Sequence, residues 1–270
     1  INGLPLVFIE LKNATDEKAT VLKAFQQIQT YKSTVPNIFY YNALCVISDG
    51  IDAKASSVSA PFSRYLSWKA PKQEVIEIKT ELQILTEHML DRKTLVELIR
   101  YCTVFESEEI KDQKTGLIFQ TKVKKVAAYH QYYAVQKAVA QTIRATHSND
   151  GDRKAGVVWH TQGSGKSLTM VFFFFLIITH PLMENLTIVM LTDRNDLDDQ
   201  LFGTFGNCVG LLRQKPIQAE NREHIKELLK VSGGGVIFTT MQKVSPETGN
   251  VYDTLAERTN IVVVADEAHR

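Results

Sequence analysis

The chain has 270 residues, 44% of them hydrophobic and 23% charged, enough for one or two buried cores of an ordinary globular protein. Lysine plus arginine (31) nearly balances aspartate plus glutamate (30), a formal charge of +1, so any contact with a polyanion has to be a local surface. Cys45, Cys102 and Cys208 are scattered, with no CxxC pair, which excludes a disulfide framework and a cysteine zinc site, and no signal-peptide pattern opens the sequence; a reducing cytoplasm is the expected location.

Leu4 to Lys12 predicts a strand, apolar until Glu10 and Lys12 project from the same side. A carboxylate and an ammonium on one face can bind a divalent metal and stabilise charge developing on a phosphate under attack; the same spacing also occurs as a solvated ion pair on an edge strand. A helix is expected over about residues 17–32, with Ala24, Phe25, Ile28 and Tyr31 near helical spacing and Gln27 one turn before Tyr31, able to face the same site. Phe39 to Ser48 reads as an apolar strand ending in the turn Ser48-Asp49-Gly50, with short strands near 53–58 and 64–68. Strand, helix, strand, strand makes a compact mixed sheet.

Residues 74–106 are charged and periodic, with Leu82, Leu85, Met89, Leu95 and Leu98 supporting two helices, the second opened by Asp91 or Thr94. This segment is either a spacer or the helical flank of the preceding domain, and 106–114 is polar enough for a linker. From Ala128 an amphipathic helix begins, in which Gln131 can donate and accept along an adenine edge at once or serve as a polar helix start.

Val157-Val158-Trp159 predicts a short buried strand leading into His160-Thr161-Gln162-Gly163-Ser164-Gly165-Lys166-Ser167. Gly163 and Gly165 allow a tight turn whose amides, with the following helix N-terminus, point at a β-phosphate. Lys166 would neutralise the β- and γ-phosphates and Ser167 would ligate Mg²⁺. The pattern GxxxxGK(S/T) has glycine at its first position, where this chain carries His160. The apolar run Leu168 to Ile178, 11 residues, is too short to cross a bilayer, which takes about 20. It fits a helix packed beneath a parallel sheet.

Leu186 to Leu191 predicts a parallel strand, followed by Arg194 and Gln200 among four acidic residues that would also suit a helix start. Val236 to Thr240 is a further strand, ending in the hydroxyl and amide groups of Thr240 and Gln242. Ile261 to Ala265 delivers Asp266-Glu267-Ala268-His269 at a strand's carboxyl end, where open α/β sheets bind ligands. Asp266 would hold Mg²⁺, largely through water, and Glu267 would orient and deprotonate an attacking water. The fold class expected is α/β: a mixed-sheet domain, then a parallel-sheet P-loop lobe.

Glu10-x-Lys12 followed by Gln27-x-x-x-Tyr31 resembles the PD-(D/E)xK nuclease fold with its Gln-x-x-x-Tyr accessory motif, although no acidic residue precedes Glu10 to match that family's metal-binding Asp. Tyr129-His130-Gln131-Tyr132, Thr161 to Ser167, Thr192-Asp193-Arg194 with Gln200, and Asp266-Glu267-Ala268-His269-Arg270 are similar to the motifs of superfamily 2 helicases. Together, with Asn2-Gly3-Leu4-Pro5-Leu6-Val7, they resemble the restriction (motor) subunit of type I restriction-modification enzymes over nearly the whole chain. The resemblance implies an ATP-dependent DNA translocase and endonuclease that uses Mg²⁺ and works on duplex DNA with modification and specificity subunits, without a membrane. It implies catalytic roles for Glu10, Lys12, Gln27, Tyr31 and Glu267, nucleotide binding by Gln131 and residues 161–167, DNA contacts by Arg194, Gln200, Thr240 and Gln242, and coupling by His269. The domains expected are a nuclease core over 1–72, a helical flank or linker over 73–124 and a first RecA-like lobe over 125–270. The alternative is a helicase whose nuclease-like domain only binds. Both ends read as interior sequence, so a piece of a longer chain, inactive alone as an ATPase, is expected.

Overall fold

The structure, a computed structural model, describes residues 2–13, 20–71, 79–111, 116–147, 152–193, 195–212, 214–231, 234–245 and 254–267, the side chains of 108–111, 195–200 and 209 excepted. It is α/β, with two compact units that divide after Tyr132.

In the first unit β1 (Val7–Leu11) leads through α1 (Val21–Thr34) to β2 (Leu44–Ser48) and β3 (Ala53–Ser56). β1 pairs parallel with β2, Phe8 opposite Cys45 and Leu11 opposite Ser48, and β2 pairs antiparallel with β3. A parallel pair needs a crossover, and α1 supplies it. Thr20 starts that helix by accepting the Lys23 N–H at 3.2 Å. Val21, Ala24 and Ile28, spaced along one face, pack against Cys45, Ile47 and Tyr65.

Several segments differ from expectation. The strand expected over 39–48 starts only at Leu44, because Pro36 opens a 3₁₀ turn over Pro36–Phe39. Residues 64–68 contribute one bridge, Ala55 to Leu66, instead of a strand. The helical region resolves into α2 (Glu81–Ile84), a π turn over Leu85–Met89 and α3 (Arg92–Tyr101), opened by Asp91, whose carboxylate accepts from the amides of Lys93 and Thr94. Glu81 Oε2 accepts from the Ala53 amide at 3.0 Å and the Ser67 hydroxyl at 2.8 Å, fastening α2 to β3. Of the expected linker over 106–114, residues 106–111 belong instead to one arm of a hairpin, β4 (Thr103–Lys111) with β5 (Ile118–Val126), paired from Thr103–Val126 to Lys111–Ile118, and 112–114 lie outside the described residues. Ser59 donates to the Lys124 carbonyl at 3.0 Å and Lys124 Nζ to the Asn42 carbonyl at 2.8 Å, which holds the hairpin base.

The unit boundary falls inside α4 (Tyr129–His147). The second unit continues with α5 (Lys166–Ile178), β6 (Thr187–Thr192), α6 (Asn195–Asn207), α7 (Val209–Leu212), β7 (Ile217–Gln218), α8 (Arg222–Lys230), β8 (Gly235–Thr240), α9 (Met241–Val244) and β9 (Ile261–Ala265). Its sheet is parallel, ordered β7-β8-β6-β9. Phe172, Phe174 and Ile177 of α5 are fully buried; the Phe174 ring meets Phe205 at a tilt with centroids 4.9 Å apart, and Phe205 meets Phe238 of β8 edge-on at 5.1 Å. An all-round apolar helix is thereby accounted for.

Val157-Val158-Trp159 does not form the expected strand. Val157 is 89% and Trp159 84% exposed, and the segment has no ladder partner among the described residues. Among the described residues no helix is long and apolar enough to cross a membrane.

Candidate functional site

The parallel sheet aligns Thr192 with Thr240 and Leu191 with Ala265, bringing the carboxyl ends of β6, β8 and β9 to one edge. The Asp266 amide donates to the Leu191 carbonyl at 2.9 Å, fixing the residue that follows β9. Glu267 comes next with φ +56°, a left-handed backbone that a non-glycine side chain adopts at a penalty, and its amide donates to Asp266 Oδ1 at 2.9 Å.

Lys166, at the start of α5, reaches this acidic pair. Its Nζ lies 2.7 Å from Asp266 Oδ1 and 3.4 Å from Glu267 Oε1. Burial draws the ammonium pKa down, but the hydrogen bond and charge of Asp266, then those of Glu267, outweigh it and leave the group above the ordinary lysine value. Gly165 caps the helix in the left-handed region at φ +84°, and Gly163 at φ +77° makes the turn before it. Thr161, Gln162 and Gly163 are exposed, and Ser164, Gly165 and Ser167 half-buried. The loop and helix start thus face open space, as an anion cradle requires.

The Ser167 hydroxyl and Asp266 carboxylate form an oxygen donor set of the kind that holds Mg²⁺ when phosphates and water complete its shell. These residues fit such a metal. Thr240 is fully buried at the end of β8, its hydroxyl without a hydrogen-bond partner among the described residues, so a DNA contact there would first need the residue uncovered. Gln242 is exposed on α9. Arg194, His269 and the Gln200 side chain lie outside the described residues. Gln131 is buried in the first unit, where its side-chain carbonyl accepts the Ala128 amide at 2.9 Å and so caps α4.

On β1, Phe8, Glu10 and Lys12 alternate onto the α1 side, while Ile9 and Leu11 face away. Glu10 Oε1 and Lys12 Nζ are 2.8 Å apart, and the Tyr31 ring meets Phe8 edge-on at 5.8 Å. Gln27 is half-buried one turn before Tyr31. β1 and α1 therefore place the Glu-x-Lys pair and Tyr31 on one side of the sheet. No group of three or more metal-ligating side chains occurs among the described residues, and one carboxylate already paired with an ammonium is an incomplete metal site.

Sequence reasoning gave no role to His160, whose Nδ1 lies 3.1 Å from Ser164 Oγ; its place in the glycine position of the loop pattern was the available signal. Nor did it single out Arg258, which donates to the carbonyls of Leu229, Val231 and Asn185 and ties together the amino-terminal edge of the parallel sheet.

A glycine loop running into a helix, with its lysine against an acidic pair at the carboxyl end of a parallel strand, is an arrangement that suits an ATPase-type domain. Residues 130–270 match the SWI2/SNF2 ATPase family, and residues 1–64 match the type I restriction enzyme R protein N terminus. The chain belongs to the type I restriction enzyme R-protein family, with an N-terminal domain of that kind and a SWI2/SNF2-type ATPase domain. It is 46% identical, over its whole length, to 25% of the type I restriction enzyme HindI endonuclease subunit of Haemophilus influenzae. It is likewise similar over its whole length to a putative type I restriction enzyme endonuclease subunit, MjaIXP, of Methanocaldococcus jannaschii (31% identical, 26% of that chain) and to the SauMSSORF170P endonuclease subunit of Staphylococcus aureus (28%, 26%). The chain spans about a quarter of the length of these relatives.

Proposed function

We propose that this chain is the nuclease and motor portion of an ATP-dependent DNA translocase and endonuclease, which cuts foreign duplex DNA with Mg²⁺ after ATP-driven translocation. The observation that carries it is the meeting of Lys166 with Asp266 and Glu267 at the carboxyl edge of the parallel sheet. In this reading residues 1–72 are a nuclease core, 73–124 its helical flank and 125–270 a first RecA-like lobe. The fastening of α2 to β3 through Glu81 supports a flank more than a spacer.

ATP binding would draw Lys166 from the acidic pair to the β- and γ-phosphates, with the amides of Thr161 to Ser167 around them. Mg²⁺, held by Ser167 and Asp266, would neutralise phosphate charge. Glu267 orients a water for in-line attack on the γ-phosphorus and takes its proton as the bond to the ADP oxygen breaks. Gln131 would read the adenine edge; Arg194, Gln200, Thr240 and Gln242 would contact DNA, and His269 would couple the two events. In the N-terminal domain Lys12 would stabilise charge developing on the scissile phosphate, with Glu10 as metal ligand and Gln27 and Tyr31 orienting the strand. The partners are duplex DNA and the modification and specificity subunits, in the cytoplasm and off the membrane.

The test is cleavage of covalently closed circular DNA by the full-length protein with those subunits and Mg²⁺, with and without ATP. Cutting that requires ATP and is abolished by Glu10→Ala and by Lys166→Ala, while Glu10→Ala keeps its ATPase, supports the reading. The single, already paired carboxylate at Glu10 favours a second reading, a helicase-type motor whose N-terminal domain only binds. Wild-type protein that hydrolyses ATP yet never cuts would decide for it.

A further inference from the structure

The phosphate loop is held by side chains in a way the glycine pattern does not require. A Cβ on Gly163 would meet nothing within 4 Å, and Thr161 to Gly163 are exposed, so packing does not order this turn. Gly163 and Gly165 both lie in the left-handed region, and glycine there has the largest conformational freedom to lose. What closes the turn is Ser164: its amide donates to the Thr161 carbonyl at 3.2 Å and its hydroxyl donates to the same oxygen at 2.7 Å. The hydroxyl's second contact is His160 Nδ1, at 3.1 Å.

Proton counting orients the last bond. A serine hydroxyl has one proton, and the 2.7 Å contact to a carbonyl, which can only accept, uses it. Ser164 Oγ therefore accepts, and His160 Nδ1 carries the hydrogen. His160 Nε2 is buried, so the ring is turned into the protein and not toward a ligand.

We propose that His160 is a positioning residue of the phosphate loop: its Nδ1–H holds Ser164 Oγ, and Ser164 in turn holds the turn closed before the nucleotide arrives. This assigns both Ser164 donors, the hydroxyl and the amide, to closing the loop itself. Pre-ordering a glycine turn lowers the conformational loss on binding, so the tie acts on nucleotide affinity. The inference rests on residues 160–167 being the nucleotide site.

The experiment is titration of the full chain with a fluorescent ADP analogue and Mg²⁺, comparing wild type with His160→Gly, Ser164→Ala, their double variant, His160→Asn and Lys166→Ala. His160→Gly should weaken binding about 5-fold, the effect of losing one hydrogen bond, and Ser164→Ala by at least as much, because it removes both bonds of the hydroxyl. The double variant should be no worse than Ser164→Ala alone, because that change already removes the His160 tie. His160→Asn, whose amide nitrogen can take the Nδ1 position, should recover most of the affinity. Nitrogen-15 NMR of the wild type should show His160 protonated at Nδ1. Additive effects of His160→Gly and Ser164→Ala, or an Nε2-protonated neutral ring, would overturn the proposal. Loss of binding in Lys166→Ala with unchanged affinity in both tie variants would sink the tie and leave the nucleotide site standing. Undiminished binding in Lys166→Ala would remove the nucleotide site and the tie's role with it.

Discussion

Asp266 holds the Lys166 ammonium, which in the proposed site would turn to phosphate, and Asp266→Asn should loosen it, leaving only the longer Glu267 contact. Lys166 Nζ is 2.7 Å from Asp266 Oδ1, with the lysine side chain 39% and the aspartate 12% exposed, so the pair is partly screened. Such a pair is worth about 0.2–1 kcal/mol. A carboxylate roughly 5 Å from a bound phosphate adds repulsion of about 0.8 kcal/mol at the dielectric of water. Removing both should tighten metal-free ADP binding by about 1–2 kcal/mol, or roughly 5- to 30-fold. With Mg²⁺ the advantage should vanish, because the metal loses its carboxylate. The assay is a fluorescent-ADP titration of wild type and variant in chelator and in Mg²⁺. As the Lys166 pKa is raised, the pair is intact below the unfolded lysine value near about 10.4 and is lost only as pH rises through the higher folded value. The gain should therefore be flat from about pH 6 to about pH 9. Unchanged or weaker metal-free binding in a variant of normal melting temperature would refute the reasoning.

Glu267→Gln should keep nucleotide affinity while slowing DNA-stimulated ATP hydrolysis by at least about 100-fold in a phosphate-release assay, the scale of a lost general base. Gly234→Ala puts a Cβ 2.6 Å from the Leu186 carbonyl oxygen, a backbone atom that cannot swing aside, and should lower stability by roughly 1–3 kcal/mol in thermal unfolding. Burial raises Cys45 to about 11 and Cys102 to about 12, so neither thiol should react with Ellman's reagent at about pH 8 unless the chain is unfolded. The stability these thiols contribute is present below the ordinary thiol pKa of 9.0 and should fall as pH climbs through about 11 and about 12 in alkaline denaturation.

The second unit was legible in the sequence because its signals are local and redundant. The apolar run Ile261 to Ala265 reads as a strand, and it is one, although it lies half-buried at the sheet edge; a helix apolar on every side such as Leu168 to Ile178 needs a sheet to cover it. The charged pair on β1 was equally legible, since period-two alternation decides which side chains share a face. The β4–β5 hairpin was not, because its ladder joins two strands rich in charged residues, with little apolar alternation to announce it. Val157 to Trp159 failed in the opposite sense: strand propensity is strong there, but a strand needs a ladder partner, which propensity does not supply. Gln131 illustrates a third limit, because one amide can read a base or cap a helix, and in this structure it caps.

Asp266 carries three demands at once, and they can be separated. Its Oδ1 accepts the Glu267 amide at 2.9 Å and faces the Lys166 ammonium at 2.7 Å, and the carboxylate is the proposed metal ligand. The first demand supports a backbone at φ +56°, which for a residue with a Cβ costs roughly 1–2 kcal/mol. Asparagine keeps an oxygen for the Glu267 amide; alanine does not. Asp266→Ala should therefore lose the local support of Glu267 as well as the charge, and unfold about 1 kcal/mol more readily than Asp266→Asn, a typical hydrogen-bond difference. The pair of variants then divides the residue's work. If both melt together, the Asp266 oxygen is not what holds Glu267 in its left-handed turn, and that conformation must be imposed by the chain around it.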